Sequence, residues 1–425
     1  MISGPPRGMR DFYPEDVRLR NWLFGLWREV SESFGFQEYD GPVVESEELY
    51  IRKSGEEIVG QLYNFEDKGG RRLALRPEMT PTLARMIIAR GSSLPKPIKW
   101  FSIPQCFRYE RMSKGRRREH YQWNLDIVGA EEPTAEAEVI AAAIEFLKRV
   151  GLTRDDVVVL LSNRRLLSAL LKSKGLPQEK FPDVCLVIDK KGKVSDADLH
   201  AMLVDIGLSE AMIANLFDVL RIESLDDAER VLKTAGAPLA PLDETRKVLE
   251  CLSHFGLAQF CRFDISIVRG LLYYTGPVFE FFDADRKFRA ICGGGRYDNL
   301  LESYGGERVS AVGLGFGDVV VTEVLADKGL LPDFSSGLDY AVIPFSEEQR
   351  KVATEIAQSL RSQGRTVTMS LETKKLRKSL SDADRAGAAK VIIVAPDELA
   401  AAKVVLRDMK SGEERAIPIA DLCAP

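Results

Sequence analysis

Six cysteines are spread over 425 residues, at positions 106, 185, 251, 261, 292 and 423, and no two fall within four positions of each other. Such spacing excludes a zinc finger or ribbon and a disulfide framework. It fits a reducing compartment, so a cytoplasmic protein is expected. Long apolar runs are equally scarce. Nothing approaches the roughly 18 residues that a membrane-spanning helix needs. The opening Met-Ile-Ser-Gly-Pro-Pro-Arg-Gly has no apolar core of the kind a signal peptide carries, and no membrane association is expected. Glycine-rich phosphate signatures fail as well. Gly-Lys-Ser/Thr does not occur, so there is no P-loop. The run Gly-Leu-Gly-Phe-Gly at 313–317 departs from the Gly-x-Gly-x-x-Gly of a dinucleotide-binding fold. A net charge of −5 argues against a general nucleic-acid coat, though not against local basic surfaces.

What is present is an ordinary globular composition, 45% hydrophobic and 29% charged, in a chain long enough for two or three domains. Against that background one stretch stands out. Phe-Arg-Tyr-Glu-Arg at 107–111 leads into a loop that concentrates Arg108, Arg111, Lys114, Arg116, Arg117 and Arg118 around the single acid Glu110. The flanks read as the two limbs of a β-hairpin, aromatic-rich at 100–109 and alternating at 121–128. A solvated basic loop is one reading. The other is a polyphosphate site, because the planar guanidinium fork pairs with phosphate oxygens. The return limb favours the second: Gln122, Asn124 and Asp126 occupy alternate positions and so share one face of a sheet. An arginine loop above a row of amides and an acid suits a zwitterion together with a nucleotide.

Taken in order, residues 14–34 carry a helical stripe of Val17, Trp22, Leu23, Leu26, Trp27 and Val30, closed by Gly35. Residues 36–45 are extended, and Pro42 makes them an edge strand or a bend. A strand ends at Arg76-Pro77 and a helix begins near Thr80-Pro81, with Thr80 expected as N-cap. Glu78 lies in the turn between them, either as an exposed turn acid or as a group presented to a ligand. Residues 134–150 form an amphipathic helix, and 182–257 are helical without chemistry of their own. From 263 to 281 the pattern is strand, turn, strand. Its Arg269 needs an anionic partner if buried, and Tyr273 and Tyr274 are expected on opposite faces. At 290–299 three glycines follow a strand, which lets backbone approach a ligand closely. After a short linker at 332–337, strand and helix alternate from 338 onward, implying a βαβ domain with a parallel sheet. There Lys374, Lys375, Arg377 and Lys378 form a cation cluster, either a solvated face or an RNA-binding one.

These residues resemble a known family. Phe-Arg-Tyr-Glu-Arg, the basic loop and the return strand to Asp126 and Gly129 are similar to motif 2 of class II aminoacyl-tRNA synthetases, and the helix, strand and proline of 14–45 to motif 1. Arg-Gly-Leu-x-Tyr-Tyr at 269–274, Gly-Gly-Arg-Tyr-Asp at 294–298 and Arg-Pro-Glu-x-Thr at 76–80 resemble the histidyl-tRNA synthetases in particular. The resemblance implies an α+β fold. Residues 1–332 would be a class II core, an antiparallel sheet flanked by helices with a helical insertion at about 182–257. Residues 338–425 would be an α/β anticodon-binding-like domain. It implies ATP and L-histidine as substrates, Mg2+ on the phosphates through ligands that cannot be assigned, tRNA(His) as partner, and a homodimer through motif 1. In site terms, Arg108 and Arg269 would be catalytic and clamp the α-phosphate and the histidine carboxylate, with Arg116 on the outer phosphates. Glu78, Met79 and Thr80 would hold the α-ammonium, and Gln122, Asp126, Tyr273, Tyr274 and Tyr297 would surround the side chain. Lys374, Lys375, Arg377 and Lys378 would meet tRNA.

The sequence departs from this pattern twice. Leu272 stands where many members have aspartate. Residues 311–325 sit where motif 3 carries an arginine against ATP, yet no arginine occurs between Arg308 and Arg350, and Val320 occupies the position. Either another cation covers that side of ATP or ATP use is impaired. The second case would suit the synthetase-like regulatory subunit of ATP phosphoribosyltransferase, a non-catalytic alternative.

Overall fold

The computed structural model describes residues 4–51, 60–192, 194–271, 273–334 and 337–423. Leu272 and part of the 332–337 linker lie outside them. The chain divides into two compact units, Met1–Leu331 and Pro332–Pro425.

The first unit is built on a nine-stranded sheet. Its strands run in the order Gln37–Glu38, Ile98–Ser102, Glu119–Val128, Ala311–Gly317, Cys292–Arg296, Pro277–Asp283, Val157–Asn163 and Cys261–Phe263, with Gln105–Phe107 pairing to the start of Glu119–Val128. Neighbours are antiparallel except at the margins, where Gln37–Glu38 lies parallel to Ile98–Ser102 and Cys261–Phe263 parallel to Val157–Asn163. Period-two alternation divides the faces. Trp123, Leu125 and Ile127 point to one side with Phe279, Phe281, Leu314 and Phe316, and the helices Pro14–Ser33, Thr134–Arg149 and Ala240–His254 cover them. Trp27 of the first helix stacks on Trp123 at 5.8 Å between ring centroids. Truncating so large a buried ring to alanine costs about 3–5 kcal/mol. This apolar layer makes the sheet a rigid floor for whatever its other face carries.

Pro42 resolves as a bend. Gln37–Glu38 is an edge strand of the large sheet, whereas Val44–Ser46 belongs to a separate three-stranded sheet with Arg72–Leu75 and Asn64–Glu66. The helix after Glu78 spans Thr80–Arg90, and its cap is Met79, which makes no side-chain cap hydrogen bond. Thr80 is therefore the first helical residue and not the N-cap expected. Helices occupy more of the centre than the sequence suggests. Arg164–Ser173, Phe181–Ile188, Asp196–Asp205, Glu210–Leu220 and Leu225–Thr234 enclose their own apolar cluster, and Leu242 of Ala240–His254 joins it. Val248 and Leu252 of that last helix reach the main core instead. Among the described residues no helix is long and apolar enough to cross a membrane.

The second unit has a five-stranded sheet in the order Val367–Met369, Leu338–Pro344, Ala388–Val394, Lys403–Asp408, Glu414–Pro418. The first three are parallel, as the βαβ pattern implies. The last two are antiparallel, so the sheet is mixed and not wholly parallel. Ser346 and Gln349 form a capping box ahead of the helix Arg350–Ser362. The basic segment forms the helix Leu376–Arg385, so Lys374 and Lys375 precede it.

Candidate substrate site

Across the open face of the large sheet the register sets two rows of residues. Asp126 lies opposite Gly313, Gly313 opposite Gly295, and Gly295 opposite Val278; Asn124 lies opposite Gly315, then Gly293, then Glu280. The two central strands thus carry glycine at the positions where side chains would fill the face. The glycines expected after a strand lie inside one, Cys292–Arg296. Their effect is space. A Cβ at Gly293 would come within 2.6 Å of Arg269 Nη1, and one at Gly313 would collide with Asp126 Oδ1.

Arg269 arrives from the loop 264–276 with a backbone φ of 59°, left-handed for a side-chain-bearing residue. Burial works against its charge, but the Glu280 ion pair and hydrogen bond, with Tyr274 and Asp189, more than offset this, and the guanidinium is held firmly protonated. Glu280 is the anionic partner that the partly buried Arg269 calls for, and sequence reasoning did not single it out. It is the one charged side chain that the strand Pro277–Asp283 turns toward this face, so the alternation contained the signal. Tyr273 and Tyr274 do not diverge as expected. They lie in the loop and not in a strand, with ring centroids 5.0 Å apart and both rings toward the site.

Glu78 sits above the same floor, 4% exposed, in the turn that opens the helix Thr80–Arg90. Its Oε2 accepts from the Tyr273 phenol at 3.0 Å. Burial pushes its pKa up, while Arg108, the Tyr273 hydrogen bond and Arg269 oppose the shift. Two buried polar atoms here have no partner among the described residues: Glu78 Oε1, an acceptor, and Arg269 Nε, a donor. Met79 points elsewhere, its sulfur 3.8 Å from an Arg76 nitrogen, and only its backbone faces the turn. Deeper in, Tyr297 donates to Asp126, whose carboxyl is pushed up to about 7 by burial, the Tyr297 bond opposing and Glu78 adding to the rise. Tyr39, unremarked in the sequence, contributes a half-buried ring near Asp126.

The basic hairpin stands at the end of this trough. Arg108 is tethered by Nε to the Pro77 carbonyl at 2.9 Å, and Arg116 pairs with Glu110 at 2.6 Å. Arg10 bridges the buried Glu119 and Asp318, and Asp318 also accepts from the Tyr121 N–H, so the hairpin base is pinned from two sides. His120 was also missed, although it continues the alternation of Gln122, Asn124 and Asp126. Burial and the cations Arg108, Arg10 and Arg116 push it down to about 3, so its imidazole is neutral. Val320 is buried beside Gly115. A Cβ at Gly115 would lie 3.2 Å from Val320 and 3.7 Å from Cδ of Arg289, a cation that makes no hydrogen bond or ion pair among the described residues. Among the described residues there is no cluster of three metal-ligating side chains. The second unit holds Lys374, Lys375, Arg377 and Lys378 as an exposed group; Lys374 and Lys378 share Asp382, each at 3.3 Å.

An antiparallel sheet with a helical layer behind it, an arginine hairpin at its end and a trough of paired acids and bases is a class II aminoacyl-tRNA synthetase core. The family model described as histidyl-tRNA synthetase matches residues 8–317, and one described as an anticodon binding domain matches 339–424. Among curated relatives, the chloroplastic/mitochondrial histidine–tRNA ligase of Arabidopsis thaliana is 47% identical over 418 residues, covering 98% of this chain and 85% of the relative. The histidine–tRNA ligase of Opitutus terrae is 41% identical, covering 97% of this chain and 95% of the relative. The crystal structure of histidyl-tRNA synthetase from Nostoc sp. PCC 7120 superposes with a TM-score of 0.82 at 25% identity, covering 99% of this chain and 98% of that one. The chain belongs to the histidyl-tRNA synthetase family.

Proposed function

We propose that the protein activates L-histidine with ATP to histidyl-adenylate and transfers the histidyl group to tRNA(His). One observation carries the reading. The orphaned acceptor on Glu78 and the orphaned donor on Arg269 are a matched pair for the ammonium and carboxylate of an amino acid. Buried polar atoms are rarely left unpaired, and a zwitterion supplies both missing partners. An ammonium against Glu78 also opposes the upward push that burial gives that carboxyl. The imidazole then reaches Asp126, Tyr297 and Gln122, with Tyr273 and Tyr274 as walls and the backbone at Met79 and Thr80 closing the ammonium end.

The first step is attack of the histidine carboxylate on the α-phosphorus, with pyrophosphate leaving. The nucleophile is already an anion, so no general base is needed. What the site must supply is positive charge, fixed in advance, where the pentavalent phosphate develops. Arg269 and Arg108 are placed for that, and Arg116 for the outer phosphates once it exchanges Glu110 for them. On the side where Val320 replaces an arginine, we assign the cation to Arg289. Mg2+ would neutralise phosphate oxygens of the bound nucleotide. The regulatory alternative lacks support from the second unit, which matches an anticodon-binding model.

The remaining assignments belong to the same reading. Residues 1–332 are the catalytic core with 182–257 as its helical insertion, and 338–425 the anticodon-binding-like domain, with Lys374, Lys375, Arg377 and Lys378 against RNA. The protein is a cytoplasmic homodimer through residues 36–45, which an active monomer in sedimentation would refute. Histidine-dependent ATP–pyrophosphate exchange tests the function itself. Exchange with histidine and with no other amino acid is expected, and none at all would favour the regulatory alternative.

A further inference from the structure

Arg164 has no part in the chemistry above, yet it is 6% exposed. It opens the helix Arg164–Ser173, immediately after the cap Asn163, whose side chain accepts from the N–H groups of Arg165 and Leu166. The first turn of a helix is its positive end, so a cation there is placed against the local field. Burial pushes its pKa down and the like charge of Arg269 adds to this, while Cys185, Tyr274 and Asp189 oppose the shift. The geometry accounts for a cation in so unfavourable a place. Nε donates to the carbonyl of Val268 at 2.9 Å, Nη2 to that of Arg269 at 2.6 Å and Nη1 to that of Tyr274 at 3.2 Å. These carbonyls bracket the residue whose left-handed backbone costs about 1–2 kcal/mol in an L-residue. The loop is backed from the same side. Ile265 and Val268 belong to the apolar cluster of the helices, and the Asp189 carboxylate lies 3.4 Å from where a Cβ at Gly270 would stand. The Arg269 side chain pairs with Glu280 on the sheet, while its backbone is gripped from the helical side.

We propose that Arg164 is a positioning residue for adenylation: by holding three carbonyls of the 268–274 loop it fixes the backbone of Arg269 and so aims its guanidinium at the reacting carboxylate and phosphate. The inference rests on the histidine-activating reading. It makes the helical segment a working part of the site, because displacement of the helix Arg164–Ser173 would redirect Arg269 without touching substrate.

The test is a double-mutant cycle on the full chain. Arg164→Lys and Arg164→Met are made alone and in combination with Arg269→Ala. Single-turnover adenylate formation, the KM values for histidine and ATP, and circular dichroism are measured for each. Misplacing a catalytic group by about 1 Å costs about 100-fold. Arg164→Met is expected to lose about that factor in rate and Arg164→Lys about 10-fold, with KM for ATP within about threefold of the parent. In the Arg269→Ala background neither substitution slows the reaction further. Additive losses would overturn the proposal, since Arg164 would then act independently of Arg269. Loss of fold in both variants would overturn it too, making Arg164 a structural residue. Histidine-dependent exchange by the parent is measured first. Its absence defeats the functional reading and this inference with it, whereas an active parent with additive losses defeats the inference alone.

Discussion

At the scale of single residues, the site is a set of charges held where water and neighbours leave them incompletely answered. Arg269 is the clearest. Its pairing with Glu280 keeps it charged and oriented, yet Nε remains free for an incoming anion. Arg269→Ala is expected to keep its fold but lose adenylation by about 10²–10³, the loss for one preorganised transition-state donor, equivalent to about 2.7–4 kcal/mol. Lysine restores only part, having charge without the fork. Single-turnover rates at saturating ATP and histidine decide it, and an alanine variant close to the parent rate would make Arg269 structural. Asp126 poses a different question, because burial lifts its carboxyl to about 7 from 3.8. The folded protein therefore holds a proton there that the unfolded chain has released between those values. Stability from this group is complete below the lower value and is lost as pH rises through about 7. Asp126→Asn keeps an acceptor for Tyr297 without a charge to bury. Its stability relative to the parent should therefore improve from pH 5 to pH 8 in urea melts, and an unchanged difference would mean that the carboxyl is ionised throughout.

At the scale of elements, the glycine floor decides how close a ligand comes to the sheet. Gly313→Ala puts a methyl group onto the Asp126 carboxylate and within 3.1 Å of the Leu125 carbonyl, and neither can retreat easily in a packed strand. Overpacking of this kind costs about 1–3 kcal/mol. The Gly313→Ala protein should melt earlier and show a raised KM for histidine more than for ATP. Equal shifts in both would mean that the strain spreads beyond the imidazole end. How much of this was legible beforehand follows from the range of each signal. Alternation over Gln122, Asn124 and Asp126 is local and put all three on one face correctly. The glycines were noticed, but their array arises only when the strands Cys292–Arg296 and Ala311–Gly317 pair, a register that no single strand encodes. The expectation for Tyr273 and Tyr274 rests on the period of a strand, and the loop Arg164 holds has no such period. The Thr80 cap failed by one residue, because Pro81 fits the second helical position as well as the first. Glu280 and His120 obey the same alternation, so the signal for both is local.

At the scale of the whole molecule, two compact units in one chain allow two functions to be separated. The first unit contains every residue assigned to adenylation, and the second carries its own apolar clusters around Val342, Ile392 and Ile393. A chain ending at Leu331 should therefore still catalyse histidine-dependent exchange while charging tRNA poorly. Undiminished charging would remove the second unit from RNA recognition. The cations of that unit make a finer distinction. Each phosphate neutralised contributes about 0.7–0.9 to the slope of log binding constant against log salt, but only a charge free to meet a phosphate counts. Lys374 and Lys378 already share Asp382, while Lys375 and Arg377 make no ion pair among the described residues. Replacing Lys375 and Arg377 by glutamine is expected to flatten the salt dependence of tRNA binding by between about 1 and 2 units of slope. The same change at Lys374 and Lys378 should do less, because Asp382 already holds both lysines and Lys375 and Arg377 remain to meet phosphate. If both pairs flatten the slope equally, Asp382 does not hold its lysines in solution. If neither does, this face is solvated and RNA lies elsewhere on the unit.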